Sequence, residues 1–110
     1  MLKEAADANE ARFWRAASPL LEREAVTQST MMGFPCLRVA GKFLASYDRS
    51  QGDLLVKLPG DRVNQLIADG AGRPFAPAGR RFREWVAIPP ASERDWPAYL
   101  DEARQFVSGT

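Results

Sequence analysis

Hydrophobic residues recur at helical spacing near both ends of the chain. Over residues 2–24, five apolar side chains share one helical face: Phe13, Trp14, Ala17, Leu20 and Leu21. Pro19 cannot donate a backbone hydrogen bond inside a helix, so we expect a kink or break near Ser18. The residues before Glu10 offer no apolar face for docking, which predicts fraying over residues 1–10.

A second amphipathic helix is predicted over residues 95–107. Its apolar face consists of Trp96, Tyr99, Leu100, Ala103, Phe106 and Val107. Asp95 is the expected N-cap, because a start at Ser92 would place Pro97 where its missing N–H is needed.

Between residues 28 and 58 the pattern changes to extended segments separated by turn residues. Gly41 and residues 48–52 mark the turns, which predicts three strands in meander order. Pro35 cannot donate to a strand ladder, so the first strand should be an edge or bulged there, with pairing from about Cys36. The first of these strands contains Cys36, Leu37 and Val39. In the second, Phe43, Ala45 and Tyr47 alternate with Leu44 and Ser46. The third contains Leu54, Val56 and Leu58.

A short helix follows from residue 59, with Val63, Leu66 and Ile67 on its apolar face and Gly70 just beyond its end. Residues 71–79 are rich in Gly and Pro and predict a loop, with at most a short extended piece over 74–76. Residues 82–88 predict the last strand.

These elements predict one α+β domain over residues 1–110, in the order α-β-β-β-α-β-β-α, with helices covering an antiparallel sheet. At 110 residues and 45% hydrophobic content, the chain suffices for one domain with a core.

Charge and cysteine content exclude several classes of protein. The 15 basic and 14 acidic side chains give a net charge of +1, so no global field gathers nucleic acid or membrane. The single cysteine, Cys36, excludes an intrachain disulfide. The sequence offers neither a signal core nor a span of about 18 apolar residues. We therefore expect a cytoplasmic protein without a membrane partner.

The absence of histidine excludes much catalytic chemistry. Ser-His-Asp and Cys-His catalysis and most zinc sites need an imidazole. Cys36 beside Arg38 is the one candidate nucleophile, and core packing is the better interpretation of that residue. We expect no enzyme, no cofactor and no metal site.

One local excess of positive charge supports a functional hypothesis. Residues 73–83 carry Arg73, Arg80, Arg81 and Arg83 without an acidic residue, interleaved with Phe75 and Phe82. Four guanidiniums there could hold the phosphates of a nucleic acid or a small anion. If all four contact duplex DNA, a plot of log affinity against log salt concentration should have a slope of about −3 to −4. Lys42, Lys57 and Arg38 could extend this patch. The competing interpretation is a solvated strand edge with Arg stems covering aromatic rings.

Four sequence motifs occur in the order and spacing of the TfoX/Sxy N-terminal domain family: MMGFPCLRVAGKFLA at residues 31–45, LLVKLP at 54–59, GRPFAP at 72–77 and GRRFREWVAIP at 79–89. The chain resembles that family over residues 27–107, and YjbR/MmcQ-like families share its Val-x-Gly-Lys-x-x-Ala pattern. The resemblance implies the same α-β-β-β-α-β-β-α fold. The resemblance to YjbR-like families implies that DNA binding is expected, but it does not identify any particular binding residue in this chain.

Three functional hypotheses remain open at this stage. The first is a non-enzymatic binding module, regulatory, with a nucleic-acid or phosphate-bearing partner at residues 73–83. The second is a protein-interaction or homodimer module that uses an open sheet edge or the end helices. The third is a small-ligand binder or enzyme with a pocket between sheet and helices; a deep pocket with convergent polar groups would favour it.

Overall fold

Six β-strands form one antiparallel sheet, and three α-helices pack against it. A computed structural model describes residues 8–31 and 33–109 of the chain. The helices are α1 (Ala8–Leu21), α2 (Gly60–Ala68) and α3 (Trp96–Ser108). The strands are β1 (Val26–Met31), β2 (Phe34–Val39), β3 (Lys42–Asp48), β4 (Asp53–Lys57), β5 (Arg73–Pro74) and β6 (Trp85–Ile88). Two short 3-10 segments, Pro77–Gly79 and Pro90–Asp95, precede β6 and α3.

The predicted α+β class is confirmed, and the sheet has one strand more than predicted. β1 pairs with β2 along its whole length but was not predicted as a separate strand. Its middle residues are polar and mostly exposed, because β1 is an edge strand, so no apolar alternation reveals it. Of the predicted frayed segment, residues 1–7 lie outside the described part and residues 8–10 are helical.

The strand order β1-β2-β3-β4-β6-β5 determines two faces of the sheet. Residues paired across antiparallel strands share a face, and neighbours along a strand alternate. One face contains the register row Leu37, Ala45, Val56 and Val86, together with the row Tyr47, Leu54 and Ile88.

That face packs against all three helices and forms the core. The helical members of the core cluster include Phe13, Ala17 and Leu20 of α1, Val63 and Leu66 of α2, and Trp96, Leu100 and Ala103 of α3. Burial of such side chains contributes roughly 1.5–3 kcal/mol each. Among the described residues, no helix combines the length and the apolar content needed to cross a bilayer.

The first helix and the first paired strand each differ from the prediction at a proline. α1 continues through Ser18 and Pro19, so the expected break is wrong; Pro19 lies in the last turn, where the helix ends two residues later. β2 lies between β1 and β3, so it is not an edge at Pro35. The predicted start of pairing near Cys36 holds only toward β3, because pairing with β1 already includes Phe34 and Pro35. The Ser46 hydroxyl donates to the Pro35 carbonyl at 2.9 Å.

The predicted hairpin between β2 and β3 is confirmed, with a bulge that the sequence did not reveal. Ala40 and Gly41 form its turn with φ of 52° and 82°, the positive values that a two-residue hairpin needs. The register then shifts between Leu37 and Arg38 and leaves Leu44 without a partner. Phe43 consequently faces away from the core, whereas the simple alternation put it on the side of Ala45.

The second half of the chain follows the prediction with shorter elements. α2 ends two residues before Gly70, and the short extended piece is β5 rather than residues 74–76. β6 begins at Trp85, so Phe82 and Arg83 precede the strand. Asp95 lies at the N-cap of α3, but its side chain makes no capping hydrogen bond, because a 3-10 segment leads directly into the helix.

Gly72 should be essential for packing β5 against β6. A Cβ at this position would lie 2.6 Å from Val86 Cγ2 and 3.3 Å from Ile88 Cδ1, and both neighbours are fully buried. We expect Gly72→Ala to lower the free energy of unfolding by about 1–3 kcal/mol, measured by urea denaturation.

Gly60→Ala is the matched control, because its new methyl group would meet only the Arg83 carbonyl at 3.9 Å. It should leave the urea midpoint unchanged or raise it slightly. Equal midpoints for the two variants would contradict the packing at Gly72.

Candidate nucleic-acid interface

The face of the sheet turned away from the helices carries the candidate site. Its floor follows one row of the register, Cys36, Ser46, Leu55 and Ala87, of which the last three line the cavity. These residues are buried but do not belong to the core cluster that contains the helices. Within the described ranges, the last turn of α3 is the only part of an α-helix that helps to line this surface, through Phe106 and Val107. We call the concave surface above this floor the sheet-face pocket.

Aromatic and charged side chains surround the floor on all sides. Phe34, Asp48, Asp53 and Arg73 lie at one end, Phe43, Lys57 and Trp85 at the other, Phe75 and Phe82 on the loop before β6, and Phe106 and Val107 in the last turn of α3. The cavity has a volume of about 1040 Å³. Small-ligand sites occupy roughly 300–1,000 Å³, so the pocket is large enough to hold a ligand.

Two aromatic rings at this pocket are unusually accessible to solvent. Phe34 is 42% exposed and Phe82 is 41% exposed, and both line the cavity. Phe82 also contacts Phe75, with ring centroids 5.6 Å apart. Exposed apolar rings that share one concave surface are typical of a binding site.

An ion pair between Asp53 and Arg73 lies at one end of the pocket. Arg73 Nη2 lies 2.5 Å from both carboxylate oxygens of Asp53. The Asp53 side chain is 3% exposed, whereas that of Arg73 is 53% exposed. Burial raises the pKa of the Asp53 carboxyl, and the nearby Arg73 guanidinium offsets part of that rise. Arg73 therefore neutralises a buried carboxylate and attaches β5 to β4.

The other three arginines of the predicted patch lie around a second depression. Arg80, Arg81 and Arg83 line it together with Lys57 and Gly60, and its volume is about 710 Å³. We call it the basic concavity. Arg81 Nη2 donates to the amide oxygen of Asn64 at 2.9 Å, which keeps its positive charge uncompensated. All three arginines precede β6, so the interpretation that placed Arg83 on a strand is wrong.

The remaining predicted cations lie at or beside the sheet-face pocket. Lys42 and Lys57 line the sheet-face pocket, and Lys57 also borders the basic concavity. Arg38 pairs with Phe43 in the register, and its guanidinium carbon lies 4.3 Å from the centroid of that ring. Arg38 thus stacks on an aromatic ring of the open face.

Positive charge is concentrated around these two depressions. Six cations line them, Lys42, Lys57, Arg73, Arg80, Arg81 and Arg83, against three carboxylates, Asp48, Asp53 and Glu84. This excess of three exceeds the net +1 of the whole chain, so the rest of the chain is net negative. Lys42, Lys57, Arg80 and Arg83 form no ion pair with any residue of the described ranges.

Sequence reasoning missed two features of this site. It did not assign Asp53 to the site, although the strand alternation of β4 puts Asp53, Leu55 and Lys57 on one face. It also did not assign Phe34 to the site, because the partner strand β1 was not recognised. The alternation of Phe34 with the floor residue Cys36 was the available signal.

The chemistry of the remaining candidates is limited. In residues 8–31 and 33–109, no group of three or more metal-ligating Cys, Asp or Glu side chains occurs. Burial raises the pKa of the Cys36 thiol, which outweighs the lowering effects of Ser29 and Arg38.

Replacing Arg73 by Gln leaves the Asp53 carboxylate buried without its cation. We expect the free energy of unfolding at pH 7 to fall by about 1–3 kcal/mol, less than for a fully buried pair because Arg73 is half exposed. Losing Arg73 raises the folded-state pKa of Asp53 further. A carboxyl with a raised folded-state pKa destabilises the folded protein when the pH is high enough to ionise it, and this cost disappears as the carboxyl becomes protonated at lower pH. The deficit should therefore shrink as urea unfolding is repeated from pH 7 toward about pH 5. Arg80→Gln is the control, and a deficit equal at both pH values would contradict the role of Asp53.

The Cys36 thiol should be unreactive in the folded protein. Because it is fully buried and its pKa is raised, we expect its reaction with a disulfide reagent near pH 7.5 to be roughly tenfold or more slower than in urea. The rate of thiolate release from the reagent measures this. Equal rates with and without denaturant would identify an activated cysteine.

Comparisons of this chain with protein-family models, with curated proteins and with solved structures return no match.

Proposed function

We propose that the protein is a non-enzymatic binding module for a phosphate-bearing partner, with nucleic acid as the leading class. The observation that carries this proposal is the excess of six cations over three carboxylates around two adjoining depressions. This local excess stands against a net charge of only +1 for the whole chain, and it creates a local positive field that favours an anionic partner.

The chemistry of these side chains suits phosphate. Arginine presents a planar fork of donors that matches phosphate oxygens, and lysine adds a point charge. Arg80 and Arg83 are exposed and unpaired among the described residues, so binding them costs no existing ion pair. Arg73 already neutralises Asp53 and is expected to contribute less than the other three arginines.

A non-enzymatic role is supported by the absence of histidine and by the buried thiol of Cys36. Membership of the TfoX N-terminal or YjbR-like families stays a prediction from the sequence motifs. A regulatory role in the cytoplasm likewise belongs to this proposal.

A small amphipathic anion is the second candidate partner. The volume of the sheet-face pocket and its aromatic walls favour such a ligand, with Lys42 or Lys57 holding the anionic group. This alternative needs the pocket but not the arginines of the basic concavity.

The double variant Arg80→Ala/Arg81→Ala tests the leading proposal. Fluorescence anisotropy of a labelled oligonucleotide, titrated at about 50 mM and about 200 mM salt, should show salt-sensitive binding by the unmodified protein. In the double variant we expect roughly tenfold weaker binding at the lower salt, with a salt slope shallower by about two, because two phosphate contacts are lost.

The matched control is Arg23→Ala/Arg94→Ala, which removes two exposed arginines that line neither depression. It changes the net charge by the same amount and should weaken binding far less. Equal losses in both double variants, or no binding at low salt, would refute the proposed nucleic-acid role.

A further inference from the structure

We propose that the nucleic acid bound here is single-stranded, with unpaired bases stacking on aromatic rings of the sheet-face pocket while the phosphates run along the basic concavity. This inference rests on the proposed function and identifies its substrate class.

The two depressions form one continuous bipartite surface. Lys57, Phe82, Glu84 and Trp85 line both of them. On one side of this shared boundary the walls are mainly apolar and include several aromatic rings, and on the other they carry Arg80, Arg81 and Arg83. A ligand that spans the boundary must present an apolar ring beside an anionic group. Each unpaired nucleotide does so, because its base and its phosphate are separated by one sugar.

Two aromatic rings of the pocket keep exposed surface for stacking, and each already has one neighbour. The guanidinium carbon of Arg49 lies 5.6 Å from the centroid of the Phe34 ring, and Phe75 contacts Phe82. Phe34 and Phe82 retain about two-fifths of their accessible surface in the folded protein. Trp85 lines both depressions and is only partly buried. The floor beneath the rings is made of short side chains, including Ser46 and Ala87, which leaves depth for a planar group. Base–aromatic stacking is tolerant of sequence, because every base has a π-face.

Duplex DNA fits this surface poorly. In a duplex the faces of the bases are hidden in the stack, so Phe34 and Phe82 could meet only sugar and phosphate. Reading a major groove needs a protruding helix or β-ribbon. Here the core-forming faces of α1, α2 and α3 pack on the opposite side of the sheet, and only the last turn of α3 reaches the sheet-face pocket. Electrostatics alone would favour the duplex, which has the higher charge density, so a preference for single strands must come from the rings.

The first experiment uses the unmodified protein. Anisotropy titrations at about 50 mM salt compare a labelled oligothymidylate of about 20 nucleotides, which forms no base pairs, with a duplex of the same length. We expect the single strand to bind at least about tenfold more tightly.

The second experiment uses the double variant Phe34→Leu/Phe82→Leu, which keeps apolar side chains but removes both rings at exposed positions. We expect single-strand affinity to fall about ten- to a hundredfold and duplex affinity to stay within about twofold. Phe34→Tyr/Phe82→Tyr is the matched control, because it keeps both rings and should retain most of the affinity.

The outcomes separate this inference from the proposed function. Equal or tighter binding of the duplex overturns single-strand recognition, even if Arg80→Ala/Arg81→Ala still weakens binding and so supports the nucleic-acid role. An unchanged single-strand affinity in the leucine variant also overturns it. If neither oligonucleotide binds, both proposals are overturned. In that case, a dimer that light scattering detects for the unmodified protein but not for the leucine variant would show that the rings contact a second copy of this chain.

Discussion

The two-residue period of the strands is the constraint on which the rest of the structure depends. Because antiparallel partners share a face, the rows that include Leu37, Val56 and Ile88 all point toward the helices. Among the described residues, the opposite rows are then left without helical cover except at the last turn of α3. The bulge at Leu44 acts within this constraint, since it moves Phe43 to the open face while Ala45 stays in the core.

The open face has the shape of a site because short and long side chains are arranged in order across it. Short residues such as Ser46 and Ala87 occupy its centre, and aromatic or charged residues occupy both ends. The buried Asp53 carboxylate holds Arg73, and this ion pair attaches the short edge strand β5 beside the pocket. The arginines that follow in the chain, including Arg80 and Arg83, lie near Lys57, where the Leu58 N–H donates to the Glu84 carbonyl at 2.9 Å.

Much of the fold could be predicted from the sequence, because amphipathic helices and turn residues leave clear local signals. The helix at α2 and the hairpin at Gly41 depend only on nearby residues. The edge strand β1 could not be recognised, because its middle residues are polar and the sequence there shows no alternation of apolar and polar residues. The cluster of arginines could be recognised in the sequence. That Arg73 pairs with Asp53 while the other three arginines line the basic concavity depends on strand order, which no local sequence pattern reveals.

In the proposed binding mode, the ligand occupies the open face of the sheet and not the helical side. The three indole N–H groups provide separate probes in one proton–nitrogen correlation spectrum: Trp85 lines both depressions, while Trp14 donates to Glu10 on α1 and Trp96 donates to the Pro89 carbonyl. On titration with oligothymidylate, the Trp85 indole signal should shift or broaden, and the signals of Trp14 and Trp96 should stay in place. A response at Trp14 or Trp96 without one at Trp85 would contradict this account.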